Sequence, residues 1–374
     1  MTIRAAAFLS ALTTIGAPVL VHAQQEAADE STRLAVITRV YGAGSDRAAG
    51  FISHYMREIM GNDDRYTLIE LSTALGDSTV EAAETQLRNA RRLAKQGQDA
   101  YETLELDRAM ESLNAAIREY DRYAAYISDF RPLAETLLLL AATHLQQGQL
   151  ARGKERIVQA VVLEPTIEPN PSHYNNSQKA TFARVRERML KARRGSLIIE
   201  TEPTGAEIYI DGKFIGVSPE TVLDVVEGRH YVRLVKDGYR PFGAVVDVKG
   251  TVEITDRAVL PTTKAFTDFD RLCDQVFEAL NRGKRPREVE TLLGQLATLL
   301  NTDDLLMQEV RIDGEQVRVL AGQMNLSGKL RSRVRETRFV YDADGDSYAR
   351  RIAKFAAEEF GPAEAEGKSG SGPG

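Results

Sequence analysis

Residues 195–260 read GSLIIETEPTGAEIYIDGKFIGVSPETVLDVVEGRHYVRLVKDGYRPFGAVVDVKGTVEITDRAVL, and this stretch decides the fold class. Short runs rich in β-branched residues alternate with turns that contain glycine or proline. The predicted strands are 196–201, 206–210, 213–215, 222–226, 230–236, 244–248 and 252–254. Asp211-Gly212 joins two of these strands directly, as expected of a tight hairpin turn. Strands of this length at this spacing predict a small all-β sandwich.

Along the second strand of this stretch, apolar side chains alternate with polar ones. Ile208 and Ile210 share one face of the strand, and Glu207 and Tyr209 share the other. Because successive side chains of a strand point to opposite sides, this alternation is typical of a strand with two different faces.

The same stretch resembles the PEGA domain family. The matching motifs are Pro203-x-Gly205-Ala206, Tyr209-Ile210-Asp211-Gly212, Gly216-x-Ser218-Pro219, Glu227-Gly228-x-His230 and Asp237-Gly238-Tyr239. The motif that names the family reads Val226-Glu227-Gly228-Arg229 here. The resemblance implies a β-sandwich at 195–261, similar to carbohydrate-binding and surface-layer sandwiches, in an exported bacterial envelope protein. It implies no particular ligand and no catalytic residue.

The composition is that of an ordinary soluble protein with room for several domains. The 374 residues are 43% hydrophobic and 27% charged, and the formal net charge is -6. This length is enough for about two or three domains. A mildly acidic chain is not expected to be a dedicated nucleic-acid binder. The single cysteine, Cys273, cannot form an intramolecular disulfide and is predicted to pack as a small hydrophobe.

Residues 1–23 are predicted to be a secretory signal peptide. Arg4 precedes an apolar run at 5–20, and Val21-His22-Ala23 places small residues where signal peptidase cleaves. An uncleaved anchor is the alternative, but it needs about 20 strongly apolar residues, and hydroxyl side chains interrupt this run. We therefore expect an exported protein, periplasmic or extracellular, with no membrane span after cleavage. The tail at 361–374, rich in Gly, Ser and Glu, is predicted to be disordered.

Both ends of the chain are predicted to have α/β structure. The N-terminal part, 24–79, is predicted to be a β-α-β unit with a strand at 33–41, a helix at 48–60 and a strand at 66–71. The C-terminal part, 262–360, is predicted to have helices at 266–280, 287–300 and 347–360 and strands at 305–312, 316–324 and 330–341.

Neither terminal part has enough predicted strands for a complete sheet of its own. Joined, they would form one α/β domain, distantly similar to the N-terminal domain of TolB and to related envelope proteins. The regions between them would then be insertions. A separate C-terminal domain is the alternative. The predicted fold class is multidomain α+β, with helical hairpins, a small all-β sandwich and an α/β domain assembled from the N- and C-terminal parts.

Residues 80–194 are predicted to be helical and resemble tetratricopeptide repeats. One hairpin carries the repeat pattern at Leu137, Leu140, Ala141, Gly148, Gly153, Ile157, Ala160 and Pro165. The other carries a looser version at Leu93, Gly97, Ala100, Ala109, Leu113 and Ala116. The two are 44 residues apart, from Ala116 to Ala160, rather than the roughly 34 of a regular array. The resemblance implies a short, degenerate repeat domain of the kind that binds protein partners.

The last predicted helix of this region, 178–194, is strongly basic. Its cationic residues are Lys179, Arg184, Arg186, Arg188, Lys191, Arg193 and Arg194. Contact with an anionic surface is one interpretation of these residues. A solvated linker helix is the other, because the same helix has an apolar stripe at Phe182, Val185, Met189 and Leu190.

The sequence offers no set of residues with the spacing of a familiar catalytic or metal site. The histidines are scattered at His22, His54, His144, His173 and His230. Gly42-x-Gly44 lacks the third glycine of a dinucleotide-binding loop, where Arg47 stands. Asp342-x-Asp344-x-Asp346 lacks the glycine and the glutamate of a calcium loop. We therefore expect no enzyme, no metal and no cofactor.

Two functions fit these observations. The first is a non-enzymatic envelope protein that binds a protein partner through its helical hairpins and its sandwich. The second is binding of cell-wall or surface polysaccharide by aromatic rings of the sandwich. The candidate ligand or partner face consists of Tyr209, Phe214, Tyr231, Tyr239 and Phe242. Nucleic acid is not an expected partner.

Overall fold

The structure is a computed structural model, which describes residues 31–42, 44–76, 78–253, 258–281, 286–325, 334–341 and 345–361. The predicted signal peptide at 1–23 and the tail after Gly361 lie outside these residues. Helices and strands follow one another in blocks along the chain, which agrees with the predicted α+β class. Within the described ranges, no helix is long and apolar enough to cross a membrane.

The N-terminal block is a β-α-β unit followed by one short helix. Its elements are strand β1 (Thr32–Tyr41), helix α1 (Asp46–Gly61), strand β2 (Tyr66–Leu68) and helix α2 (Leu71–Ala74). Apolar residues recur every three or four positions along α1, which gives the helix one apolar face. Phe51, Ile52 and Met56 on that face are buried. Helix α1 therefore packs on strand β1 through this face.

The helical block consists of two hairpins and a final helix. Its helices are α3 (Ser78–Glu102), α4 (Leu106–Arg122), α5 (Arg131–Gln146), α6 (Leu150–Leu163) and α7 (Asn176–Leu190). Helix α3 packs on α4, and α5 packs on α6, because a short connection joins each pair. The first hairpin is closest at Gly97, where an added side-chain carbon would lie 2.6 Å from Leu113. The similarity of these hairpins to tetratricopeptide repeats stays a prediction.

Helix α7 is shorter than the predicted basic helix 178–194. It begins with a capping box, in which the Asn175 side chain accepts the Gln178 N–H (3.0 Å) and the Gln178 side chain accepts the Asn175 N–H (2.9 Å). The helix ends at Leu190, because the chain turns there and Arg194 already starts a strand of the next block. Binding of an anionic surface by the basic residues stays a prediction.

The next block is a β-sandwich. Its strands are β3 (Arg194–Ile199), β4 (Thr201–Glu202), β5 (Glu207–Ile210), β6 (Lys213–Val217), β7 (Glu220–Val226), β8 (Gly228–Val235), β9 (Phe242–Val248), β10 (Thr251–Glu253) and β11 (Ala258–Val259). The two larger sheets have the strand orders β10-β3-β7 and β6-β5-β8-β9. Leu197, Ile208, Val232 and Leu234 are fully buried in the sandwich core. Ile208 and Ile210 share the face that points into this core, and the alternation along the strand had placed them on one face.

The C-terminal block supplies both helices and strands. Its elements are α8 (Phe266–Asn281), α9 (Pro286–Leu300), β12 (Asp304–Asp313), β13 (Gln316–Asn325), β14 (Arg335–Val340) and α10 (Gly345–Phe360). Cys273 on α8 is free and fully buried, and burial raises the pKa of its thiol to about 12. The thiol is thus protonated at neutral pH and packs as a hydrophobe.

A single five-stranded sheet contains strands from both ends of the chain. Its order is β14-β13-β12-β1-β2, and β1 pairs in parallel with β12 from Leu34↔Asp304 to Tyr41↔Arg311. Helices α1 and α10 pack against one face of the sheet, and α2, α8 and α9 pack against the other. The helical block and the sandwich therefore lie in sequence between two neighbouring strands. The similarity to the N-terminal domain of TolB stays a prediction.

The sandwich contacts the helical block closely through strand β9. The backbone of Gly243 lies against the 3₁₀ turn Ala124–Tyr126. A side-chain carbon added at Gly243 would lie only 2.2 Å from the backbone nitrogen of Ala125. A residue other than glycine would force the strand and the turn apart.

Replacing Gly243 with alanine is expected to lower the free energy of unfolding by about 1–3 kcal/mol, because strand β9 and the turn must separate. Urea unfolding of the full chain measures this change. Gly216→Ala is the matched control, since an added carbon there would meet its nearest atom at 3.5 Å, an ordinary contact. Equal stability of the two variants would contradict the close approach.

Candidate functional site

The five candidate aromatic side chains do not lie together on one open face. Tyr209 and Phe214 are neighbours, with 5.7 Å between their ring centroids. Both rings contact helix α1, where the His54 ring stacks on Phe214 at 3.4 Å and lies 6.0 Å from the Tyr209 ring. These two residues therefore fill a contact between the sandwich and the N-terminal block.

The other three aromatic residues lie apart from this pair. Tyr231 is only 3% exposed, and its ring is 5.1 Å from that of Phe130 on α5. Tyr239 lies 4.9 Å from Phe266 on α8, and Phe242 packs against the sandwich core. Tyr209, Phe214, Tyr239 and Phe242 are half-buried, and the five rings make separate contacts within the chain rather than one shared platform.

A buried ionic cluster joins helix α1 to the sandwich. Arg57 of α1 forms salt bridges with Glu207 on β5 and, at 3.3 Å, with Asp237 after β8. The Glu207 side chain is 6% exposed. It also accepts a hydrogen bond from the Tyr209 hydroxyl (2.6 Å) and lies 3.3 Å from the His54 Nδ1 atom. The carboxylate of Glu207 thus has partners on both sides of the contact.

The two carboxyl groups of this cluster differ in acidity. Burial raises the pKa of Glu207, but the charge of Arg57 and hydrogen bonds from His54 and Tyr209 outweigh burial and lower the pKa to about 2. Burial, together with the nearby charge of Glu207, raises the pKa of Asp237, and Arg57 offsets only part of that rise. Glu207 is therefore the carboxylate that keeps its negative charge beside Arg57.

Two adjacent clefts lie along helix α3. One, of about 390 Å³, is bounded by α3, α5 and the loop 164–175, and the other, of about 320 Å³, by α3, α2 and the edge of the sandwich. Arg91 lines both clefts. The residues that α3 contributes to them are Val80, Glu84, Leu87, Arg88, Arg91, Ala94, Lys95 and Gln98. We call these two clefts the α3 groove.

The α3 groove follows one face of its helix. The contributing residues recur every three or four positions, which places them on a single side of an α-helix. From Val80 to Gln98 this face extends about 27 Å, at 1.5 Å per residue. Leu139 and Thr136 of α5 line the first cleft and are almost fully buried, at 8% and 4% exposed. The groove therefore has a packed floor and a charged rim.

The charges on the rim are only partly paired. Arg88 lies 3.8 Å from Glu84, and Lys95 lies 3.0 Å from Asp99. Within the described part of the chain, Arg91 has no acidic side chain within salt-bridge distance, and it is exposed. Glu135 and Glu168 line the first cleft and Glu70 and Glu84 line the second, so the groove carries charges of both signs.

The floor beneath Arg91 contains Tyr120 of α4. Its side chain is 3% exposed, and its hydroxyl is buried beside the Arg91 side chain. Burial raises the pKa of this hydroxyl, and the positive charge of Arg91 and a hydrogen bond with its side chain offset part of the rise. Arg91 therefore has a polar neighbour on α4.

The structure describes no metal centre in the stretches it covers. In those stretches, no group of three or more His, Cys, Asp or Glu side chains is placed to hold a metal ion. Asp342 and Asp344 of the calcium-like motif lie outside the described residues. Arg47, which replaces the third glycine of a dinucleotide loop, donates to the Pro219 carbonyl oxygen and to Glu220 of the sandwich. It therefore serves the contact between blocks.

Sequence reasoning did not single out Arg57, Glu207, Arg91 or Tyr120. The sequence did contain a signal for Glu207, because it shares a strand face with Tyr209. A carboxylate that lies beside buried aromatic rings is expected to have a cationic partner. A signal also existed for α3, because charged residues recur at helical spacing from Glu84 to Lys95. In neither case does the local pattern identify the partner.

Comparison with known proteins identifies the sandwich. Residues 194–261 match the PEGA domain family, which confirms the resemblance found at 195–261. No curated protein and no solved structure matches the chain. A PEGA domain suggests an extracellular or surface-binding role and is typical of exported proteins. The class established for this region is therefore a PEGA β-sandwich.

Glu207→Gln is expected to lower the free energy of unfolding at pH 7 by roughly 3 kcal/mol, because it leaves Arg57 without its main buried partner. The pKa of Glu207 lies below the usual value of 4.5, at about 2, so its carboxylate stabilises the fold above pH 4.5. This stabilisation is lost as the pH falls from 4.5 towards 2. The difference between the wild type and the variant should shrink over the same window.

Urea unfolding at a series of pH values measures both effects. The charge of Glu207 contributes to the raised pKa of Asp237, so the comparison is made with Asp237→Asn in both proteins, and the difference then reports on Glu207. Glu187→Gln is the control, because Glu187 forms an exposed ion pair with Lys191 and should contribute little. A Glu207→Gln variant as stable as the control at pH 7 would show that the buried pair is not needed.

Proposed function

We propose that this chain is a non-enzymatic, exported envelope protein that binds a protein partner through the α3 groove. The groove carries this proposal, because about 27 Å of one helix face remains open over a packed floor. The PEGA domain supports export and surface binding. The resemblance of the helical block to tetratricopeptide repeats supports a protein as the partner. A periplasmic location is part of the proposal.

The PEGA domain has a second role in this proposal, which is to hold the floor of the groove. Asp121, next to Tyr120 on α4, accepts a hydrogen bond from the Tyr231 hydroxyl (2.5 Å) and pairs with Arg229 (2.8 Å). The Arg233 side chain donates to the Ala125 carbonyl oxygen (3.0 Å) just beyond that helix. Strand β8 thereby fixes the end of α4 that lies beneath the groove.

Carbohydrate binding by the sandwich is the alternative function. It draws on the similarity of PEGA domains to carbohydrate-binding sandwiches. Its weakness is geometric, because Tyr231 is 3% exposed and Tyr209, Phe214 and Tyr239 contact rings of other blocks. A sugar would have to displace these contacts before it could stack on them. We therefore place the partner in the α3 groove rather than on the sandwich.

The proposal is tested by photocrosslinking in intact cells. A photoreactive residue at Gln98, which lines the groove, is expected to crosslink one envelope protein. The same residue at Gln96 is the matched control, because Gln96 is exposed on α3 and does not line the groove. Lys95→Glu should reduce the crosslink from Gln98, since it reverses a charge on the rim, and Arg92→Glu outside the groove should not.

Equal crosslinking from Gln98 and Gln96 would contradict a partner in the groove. Retention of the protein on purified peptidoglycan, lost in Tyr209→Ala or Phe214→Ala variants, would favour the carbohydrate alternative instead. Intramolecular links alone from Gln98, together with such retention, would overturn the proposed function.

A further inference from the structure

Strand β14 forms an open edge of the five-stranded sheet. It is the outermost strand in the order β14-β13-β12-β1-β2, and it pairs with β13 in the antiparallel direction. Among the described residues, no strand pairs with its other side. The strand at the opposite edge, β2, has three residues, whereas β14 has six. Strand β14 is therefore the longer of the two edges, and its unpaired backbone groups are a template for a further strand.

The backbone groups on this open edge belong to the even-numbered residues of β14. The Tyr341 N–H donates to the Glu315 carbonyl oxygen (2.7 Å), so the backbone of Tyr341 points towards β13. This direction alternates from one residue to the next along an antiparallel ladder. Glu336, Arg338 and Val340 therefore direct their N–H and C=O groups away from β13, towards the open edge.

Val334 extends the same line at the start of the strand. The register of β13 with β14 pairs Ala321 with Arg335, so the next residue along, Gly322, lies opposite Val334. A side-chain carbon added at Gly322 would indeed lie 3.3 Å from the Val334 side chain. Val334 thus belongs to the edge, although the strand itself begins one residue later.

The side chains of these four edge residues share one face of the sheet. The odd-numbered residues face the other way, towards α10, where Phe339 is buried and Arg335 pairs with Glu359 at 2.7 Å. On the even-numbered face, two exposed valines lie at the ends, 56% exposed at position 334 and 58% at position 340. Glu336 and Arg338 lie between them. The order along the edge is therefore apolar, acidic, basic, apolar.

This order is complementary to itself when a second copy of the strand runs antiparallel to the first. Hydrogen bonds can form only between residues whose backbone points outward, so even-numbered residues must lie opposite even-numbered residues. Two of the central registers place Glu336 or Arg338 opposite its own copy, and like charges directly opposite are destabilising. The register with Thr337 on the two-fold axis instead places Glu336 opposite Arg338 twice. The same register brings each exposed valine opposite the other one.

We infer that β14 pairs with β14 of a second copy of this chain, antiparallel and with Thr337 on the two-fold axis. The two five-stranded sheets then become one continuous sheet. Backbone groups of Glu336 and Arg338 supply about four hydrogen bonds across the axis. This inference goes beyond the proposed function and does not depend on it, because the α3 groove belongs to a different block.

The charges select the register more than they add affinity. Within one chain, Glu336 already accepts hydrogen bonds from Arg318 (2.8 Å) and Arg338 (2.5 Å), so two guanidinium groups share one carboxylate. Pairing of the strands brings a second carboxylate close to each Arg338. Exposed ion pairs contribute little, and an interface of one strand is small. The dimer is therefore reversible and depends on concentration.

Sedimentation velocity of the full chain over a series of concentrations tests the dimer. The wild type is expected to shift from monomer to dimer as its concentration rises above the micromolar range. Glu336→Arg alone, or Arg338→Glu alone, places like charges opposite each other at two symmetric positions, so each should weaken the dimer about tenfold or more. Arg108→Glu is the matched control, because Arg108 is exposed on α4 and far in sequence from the edge.

Mixing the two single variants is the sharper measurement. One variant carries two cations at positions 336 and 338, and the other carries two carboxylates there. An equimolar mixture is therefore expected to form a heterodimer, although each variant alone stays mainly monomeric. The double variant Glu336→Arg/Arg338→Glu should dimerise like the wild type, which also shows that the charge changes do not unfold the edge. A mixture and a double variant that both stay monomeric would overturn the inference.

Disulfide formation tests the register. Thr337→Cys is expected to give a covalent dimer under mild oxidation, because residues opposite each other in a non-hydrogen-bonded pair have Cα atoms about 4.5 Å apart. Val340→Cys is the control, since it would lie six residues, or about 20 Å, from its own copy. The native Cys273 is fully buried and should not react.

The outcomes separate this inference from the proposed function. A covalent dimer from Val340→Cys but not from Thr337→Cys would overturn the register. A wild type that stays monomeric at every concentration would overturn the dimer, while a crosslink from Gln98 would still report a partner in the α3 groove. Loss of that crosslink would in turn leave the pairing of β14 standing.

Discussion

The buried pair of Arg57 and Glu207 is the interaction on which the arrangement of the blocks depends. Two charges taken out of water are costly, and only their mutual attraction and further hydrogen bonds offset that cost. Any slip of the sandwich along helix α1 would leave one of them buried alone. The pair therefore contributes less to net stability than to orientation, because it makes every other alignment of the two surfaces unfavourable.

The orientation of the sandwich matters because side chains on both faces of strand β8 make packing contacts. Val232 and Leu234 point into the sandwich core, and Tyr231 and Arg233 point outward to the helical block. The same strand thus has the ionic cluster just beyond its C-terminal end and contacts Asp121 of α4 through Arg229 and Tyr231 nearer its N-terminal end. The PEGA domain acts here as a rigid spacer between the five-stranded sheet and the α3 groove.

Local sequence patterns predicted most of the helices and strands. They did not predict which residues far apart in the sequence come into contact. The alternation at 206–210 was enough to place Ile208 and Tyr209 on opposite faces of one strand, because strand geometry depends only on neighbours in sequence. The same alternation did not show that α1 packs on the face of Tyr209. Arg57 and Glu207 are 150 residues apart, and no local rule joins them. The helical spacing along α3 was readable, but whether that face is open depends on where α5 and the sandwich pack.

Parallel pairing of β1 with β12 has a consequence for the order of assembly during synthesis. Arg33 and Asp303, which are hydrogen-bonded at the start of this pairing, are 270 residues apart. During synthesis, β1 leaves the ribosome long before β12 has been made. The edge of β1 that pairs with β12 is therefore unpaired during this time and is prone to aggregate. The intervening blocks contain mainly local contacts and close faster. Once these blocks have folded, the effective loop between β1 and β12 is shorter, and its closure costs less entropy. We therefore expect the middle of the chain to fold first and β1 to pair with β12 last.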